Sequence, residues 1–137
     1  MNFKLPRNRL GVVRNSYQGN VTKILTVCSA GCLRSPTAAT LLSSDPFNFN
    51  TRSCGLNEEY AIVPITPTLV VWADIILVME PWMYNEVEQM IYHISKDNQL
   101  KMETTLICLD IEDNYAYMQP ELQEIMLEKF RGLEILS

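Results

Sequence analysis

Two periodicities alternate along this chain. Short β-branched or apolar runs, typical of strands buried on both faces, are separated by stretches whose apolar residues return every three or four positions, as on a helix with one buried face. Lys23-Ile24-Leu25-Thr26-Val27 reads as the first strand, and Pro36-Thr37-Ala38-Ala39-Thr40-Leu41-Leu42 opens a helix with a proline suited to its first turn. Residues 47–54 follow as a second strand. Thr66-Pro67 reads as the N-cap and first position of a short helix through Trp72, and residues 75–79 as a third strand. Pro81 opens a helix to about Ile94, and residues 106–109 form the fourth strand. Pro120 begins the last helix, where Leu122, Ile125, Met126, Lys129, Phe130 and Leu133 make a stripe that belongs to a core rather than to a cofactor site. Strands alternating with helices predict an α/β fold of three layers, α-β-α, around a four-stranded parallel sheet. Right-handed crossovers make that sheet doubly wound.

At 137 residues the chain is expected to hold one domain with a core of its own. Four cysteines, at 28, 32, 54 and 108, lack paired C-x-x-C spacing, so free thiols in a reducing cytoplasm are expected. These cysteines and the single His93 have the wrong spacing for zinc, so no metal and no cofactor is expected. No signal-type segment and no apolar stretch near the ~18 residues of a membrane span is present, so a soluble, intracellular protein with no membrane partner is expected. The net charge is −5, and a nucleic-acid partner is not expected. That charge is unevenly divided, because residues 1–21 carry Lys4, Arg7, Arg9 and Arg14 and no acid. Pro6, Gly11 and Gly19 interrupt any amphipathic helix there, so a basic tail is expected rather than a transit peptide, the alternatives for this arm being contact with nucleic acid, with a partner or with the acidic body of the chain itself.

The chemistry concentrates between the first strand and the first helix, in Cys28-Ser29-Ala30-Gly31-Cys32-Leu33-Arg34-Ser35-Pro36. A loop entering a helix aims free backbone N–H groups into one concavity, and the helix dipole adds about half a positive charge, so an anion is favoured there. The same field favours a thiolate, the nucleophilic form of cysteine. Arg34 can offer paired N–H donors to a phosphoryl group, and Ser35 can donate a hydrogen bond to the Cys28 sulfur. Gly31 permits the positive φ that a tight anion nest needs. This reads as a phosphate-binding loop, formed by Ser29, Ala30, Gly31, Cys32 and Leu33, with a nucleophile built in. The alternative is an inert buried Cys28 with Arg34 at the surface.

The run Val27-Cys28-Ser29-Ala30-Gly31-Cys32-Leu33-Arg34-Ser35-Pro36-Thr37-Ala38 resembles the signature of the low-molecular-weight protein tyrosine phosphatases, in particular small bacterial and phage-type members, where C-S-x-N-x-x-R-S-P-T-A-E is common. Ser53-Cys54-Gly55, residues 72–80 (W-A-D-I-I-L-V-M-E) and residues 109–115 (L-D-I-E-D-N-Y) resemble further family segments in the same order. The resemblance implies Cys28 as nucleophile, Arg34 as phosphate binder, Ser35 as thiolate partner and Asp113 as general acid, with Tyr115 following the acid loop as an aromatic wall. Asp110 and Glu112 compete with Asp113 on sequence alone. Tyr60 and Tyr117 are further wall candidates, and Glu58 and Glu59 would repel an acidic phosphopeptide from the entrance.

The chain also departs from the family pattern. Gly31 replaces an asparagine that braces the loop, Leu33 stands where many members have a second cysteine, and Asn114 replaces a proline after the acid. The family's first strand begins near the N-terminus, so residues 1–21 look like an extension of a domain spanning 22–137. The expected activity is metal-independent hydrolysis of a phosphorylated protein or small aryl phosphate through a phosphocysteine. A phosphate-binding module that turns over poorly is the alternative. An arsenate reductase of related fold fits less well, because Cys54 and Cys108 are isolated in strand-like segments.

Overall fold

The chain is described by a computed structural model covering residues 21–30, 33–57, 59–99 and 101–136; the basic segment 1–20, the loop residues Gly31 and Cys32, and Glu58 lie outside the described residues. Its elements are β1 (Lys23–Cys28), α1 (Arg34–Leu42), β2 (Asn50–Gly55), α2 (Pro67–Trp72), β3 (Ile75–Val78), α3 (Pro81–Asn98), β4 (Thr105–Cys108) and α4 (Pro120–Arg131), followed by a short 3-10 turn, Glu134–Leu136. The four strands are parallel in the order β2-β1-β3-β4. Helix α1 packs on β1, β2 and α4. Helices α2 and α3 pack on one another and on β1, β3 and β4, from the opposite face because parallel crossovers share one hand. This is the expected three-layer, doubly wound α/β arrangement.

The central strands are buried on both sides, as their unbroken apolar runs require: Ile24, Leu25, Val27 and Ile76, Leu77, Val78 are all fully inaccessible. The stripe on α4 meets the other side of that core, with Leu122, Met126 and Phe130 fully buried and the Phe47 ring edge-on to Phe130 at 5.9 Å. Truncating Phe130 to alanine would cost about 3–5 kcal/mol at such a site.

Several boundaries differ from the sequence reading. Strand β2 begins at Asn50 rather than at 47, because Asn48 adopts a left-handed backbone (φ 52°) that interrupts an extended chain. Helix α1 begins at Arg34, two residues before Pro36; the proline is tolerated because the first N–H groups of a helix have no intrahelical partner. Helix α3 runs on from Ile94 to Asn98, since Ser95, Lys96 and Asp97 are polar without breaking a helix, and it ends where Gln99 turns left-handed. The Thr66-Pro67 start of α2 forms as its residues predict, with Thr66 Oγ1 accepting the Leu69 N–H at 3.2 Å.

Register aligns the carboxyl ends of the strands. Cys28 pairs with Gly55 and Val27 with Val78, while Leu109 N–H continues the ladder onto the Val78 carbonyl at 2.8 Å and Ile111 N–H onto that of Met79 at 2.7 Å. Residues 28–30, 33–35, 55–57, 59–62, 79–80 and 109–113 therefore share one edge of the sheet, at the switch point between β1 and β3 where open α/β sheets bind ligands.

Candidate active site

Cys28 is the last residue of β1 and is buried. Its sulfur lies 3.1 Å from Ser35 Oγ, and Ser35 Oγ also donates to the Cys54 carbonyl at 3.3 Å. A hydroxyl has one hydrogen, so the two acceptors compete. With a thiol, Cys28 can donate to Ser35 while Ser35 serves Cys54; with a thiolate, the serine proton is available to the sulfur. Ser35 itself is held from behind, its carbonyl accepting the buried Thr26 hydroxyl at 2.7 Å.

The carbonyls of Cys28, Ser29 and Ala30 bond outward, to the N–H groups of Leu56 (3.0 Å), Asn57 (2.8 Å) and Ile62 (3.4 Å). Carbonyls aimed at the 56–62 segment do not oppose an anion at the centre of the loop, so the backbone bias favours negative charge there. Leu33 is exposed beside it, as are Tyr60 and Ile62 on the neighbouring segment. Gly31 and Cys32 lie outside the described residues, which leaves the lack of side-chain bracing at Gly31 as an expectation.

Arg34 opens α1, and its guanidinium is 1% exposed rather than at the surface. Its Nη1 donates to Glu80 Oε2 at 2.8 Å and to the Ile111 carbonyl at 2.7 Å, which fixes the plane of the group. Its Nε lies 3.6 Å from Asp113 Oδ1. Of the three candidate acids, Asp113 is the one whose carboxylate reaches the arginine among the described residues. Asp110 has a left-handed backbone (φ 56°) and no ion pair to Arg34, and Glu112 accepts the Asn114 amide at 2.8 Å. Asp113 remains more than half exposed.

Tyr115 is half-buried against the core beside this acid loop, and Tyr60 is well exposed. Tyr117 is bound up otherwise, its hydroxyl 3.1 Å from Thr40 Oγ1, which makes it a strut of the loop rather than a wall. Glu59 is exposed, with its N–H on Asn57 Oδ1.

The other two described thiols are held in their protonated form by burial. Burial pushes the Cys54 thiol far up, and the charge of Cys28 adds to that; burial likewise raises Cys108. Among the described residues, no three His, Cys, Asp or Glu side chains converge as a metal site requires, and no helix is long and apolar enough to cross a membrane. A groove of about 600 Å³ between Pro67 and the Glu86–Asn98 side of α3 brings together no nucleophile or buried cation, so the loop is the stronger site on chemistry.

Glu80 is the site residue that sequence reasoning passed over. It lies inside the quoted segment 72–80, yet its role depends on a partner 46 positions away. The signal was an acid directly after an apolar strand and directly before a helix-opening proline. The Ile111 carbonyl carries no side-chain signal at all.

No protein-family model and no curated sequence matches the chain. Solved structures do. Vibrio vulnificus Wzb, in complex with benzylphosphonate, superposes with a TM-score of 0.57 at 18% identity, over 80% of this chain and 92% of its own. The Erwinia amylovora tyrosine phosphatase AmsI superposes with a TM-score of 0.53 at 18% identity, over 88% and 99%. At that coverage and similarity, this chain has the fold of the low-molecular-weight tyrosine phosphatases.

Proposed function

We propose that the chain is a cysteine-dependent phosphatase that hydrolyses phosphotyrosine or other aryl phosphate monoesters through a phosphocysteine intermediate. The observation that carries this reading is one cluster at one sheet edge: Cys28 Sγ 3.1 Å from Ser35 Oγ, a buried Arg34 behind the loop, and Asp113 3.6 Å from that arginine. In the first step Cys28 attacks phosphorus, the bond from phosphorus to the aryl oxygen breaks, and Asp113 gives its proton to the departing phenolate. In the second, water attacks the phosphocysteine, Asp113 takes the water proton, and phosphate leaves with Cys28 returning as thiolate, eased by the Ser35 hydroxyl. Arg34 and the loop N–H groups follow the charge on the phosphoryl oxygens, so the positive charge comes from the protein itself. Tyr115 and the loop residues Ser29, Ala30, Gly31, Cys32 and Leu33 hold the substrate. The Wzb neighbour is in complex with benzylphosphonate, a phosphonate that carries an aromatic ring and resembles an aryl phosphate in shape and charge.

The reading takes 22–137 as the catalytic domain, 1–21 as a basic extension and the reducing cytoplasm as the compartment, in keeping with free thiols at Cys28, Cys54 and Cys108. Phosphorylated protein or small aryl phosphate is the partner; neither metal nor nucleic acid enters. A phosphate-binding module is the second reading, favoured by Gly31 in the loop and by Asn114, which bonds Glu112 rather than stiffening the acid as proline would. An arsenate reductase fits poorly. It needs relay cysteines within reach of each other, whereas Cys54 and Cys108 stand on β2 and β4, the two outer strands, three strand spacings or roughly 14 Å apart.

The test is p-nitrophenyl phosphate hydrolysis in EDTA and fresh reductant, comparing wild type with Cys28→Ser. Turnover that vanishes in the variant is expected. No turnover in either protein, with vanadate still bound, would select the binding module.

A further inference from the structure

Thr37 and Thr40 lie one turn apart on α1, both buried, and both hydroxyls reach the segment that follows Asp113. Thr37 Oγ1 donates to the Leu33 carbonyl at 2.7 Å and accepts the Met118 N–H at 2.9 Å. Thr40 Oγ1 donates to the Pro36 carbonyl at 2.8 Å; its single hydrogen being used, the Tyr117 hydroxyl is the donor in the 3.1 Å contact between them. Threonine in a helix ordinarily returns its hydroxyl to the carbonyl four residues back and does no more. These two do that and also accept from the acid loop.

The far side of the loop is as firmly held. Ile111 N–H bonds the Met79 carbonyl at 2.7 Å, and its own carbonyl accepts Arg34 Nη1 at 2.7 Å. Met118 adopts a left-handed backbone (φ 57°), sparsely populated for a residue with a Cβ and kept only where neighbours over-determine it. Here those neighbours are Thr37 on its N–H and Gln123 Nε2 on its carbonyl, at 2.6 Å. Asp113 therefore sits on a span clamped at Ile111 on one side and at Tyr117 and Met118 on the other.

We propose that Thr37 and Thr40 are positioning residues for the general acid, so that the helix presenting Arg34 and Ser35 to the phosphoryl group also sets where Asp113 stands. This rests on the phosphatase reading above. The step it governs is proton delivery from the Asp113 carboxyl to the aryl oxygen as the bond from phosphorus to that oxygen breaks and the bond from sulfur to phosphorus forms. A loosened loop should slow substrates whose leaving group needs that proton and spare those whose leaving group does not.

The experiment measures kcat and KM on phenyl phosphate and p-nitrophenyl phosphate, and vanadate affinity, for wild type, Thr37→Val, Thr37→Ser and Thr40→Val. Thr37→Val is expected to lower kcat/KM on phenyl phosphate about tenfold, a fraction of the ~10²–10⁴ that a general acid supplies, and to change kcat/KM on p-nitrophenyl phosphate and vanadate affinity less than about twofold, kcat/KM being the quantity that ends at departure of the leaving group. Thr37→Ser, which keeps the hydroxyl, should restore phenyl phosphate turnover. Equal losses on both substrates, or weakened vanadate binding in proportion, would overturn the proposal and assign Thr37 to the phosphate loop through Leu33. If Thr37→Val fails to fold, Thr40→Val must still show the leaving-group split, and its absence overturns the proposal. An inert wild type would remove the phosphatase reading and this one with it; an active wild type with evenly slowed variants would remove this one alone.

Discussion

The Arg34 guanidinium gives Nη1 to Glu80 Oε2 at 2.8 Å, joining the first turn of α1 to the residue that precedes α3. The arginine is almost wholly buried and the glutamate about a third exposed, so the pair holds a cation that water cannot reach. Losing one partner of a fully buried pair costs about 3–5 kcal/mol; with Glu80 partly in water, about 2 kcal/mol is the fitting scale for Glu80→Gln. A bound oxyanion would replace the missing charge. Vanadate should thus raise the melting temperature of Glu80→Gln more than that of wild type, and equal shifts would show that Glu80 does not compensate Arg34.

Ser35→Ala removes the hydroxyl 3.1 Å from the Cys28 sulfur. Its loss should slow the departure of the thiolate from phosphocysteine more than its formation. Rapid mixing with p-nitrophenyl phosphate is expected to give a burst of nitrophenol before a steady rate reduced by about tenfold, on the scale of a hydrogen bond to a charged group. A variant that slows without a burst would place Ser35 in the first step instead.

Asp113→Ala should lower kcat/KM on phosphotyrosine by about 10²–10⁴ and that on p-nitrophenyl phosphate far less, because nitrophenolate leaves without a proton and kcat/KM reports only the step in which the leaving group departs. Asp110→Ala should show no such split, since its carboxylate does not approach Arg34. Equal losses on the two substrates would remove Asp113 from the acid role.

Burial, with the Cys28 charge adding, raises the Cys54 thiol well above its ordinary value of 9.0. The folded chain then keeps a proton that the unfolded chain releases as pH rises through 9.0, so stability present below that value is lost above it, by about 1.4 kcal/mol per pH unit. Melting wild type and Cys54→Ala from about pH 8 to about pH 10.5 should show wild type falling more steeply above 9.0. Parallel profiles would mean that Cys54 ionises in the fold.

Much of the fold was legible because its signals are local. Strand β1, the Thr66-Pro67 start of α2 and the stripe ending in Phe130 each follow from a short run of residues and their periodicity. Cys28, Arg34 and Ser35 were legible for the same reason, lying within eight positions on one loop. What escaped was non-local or lay in the backbone. The pairing of Glu80 with Arg34 spans 46 positions, the struts from Thr37 to Met118 and from Thr40 to Tyr117 span 81 and 77, and the Ile111 carbonyl has no side-chain signature. Asn48 misled the start of β2 because its left-handed turn hides between two phenylalanines that read as strand.

The central claim is that Cys28 carries the phosphoryl group, and the most direct measurement is to quench wild type with acid during turnover of p-nitrophenyl phosphate and map the peptides by mass. A phosphate adduct on the peptide bearing Cys28, enriched in Ser35→Ala and absent from Cys28→Ser, is the predicted result. Active enzyme with no adduct on that peptide in either the wild type or Ser35→Ala would contradict it.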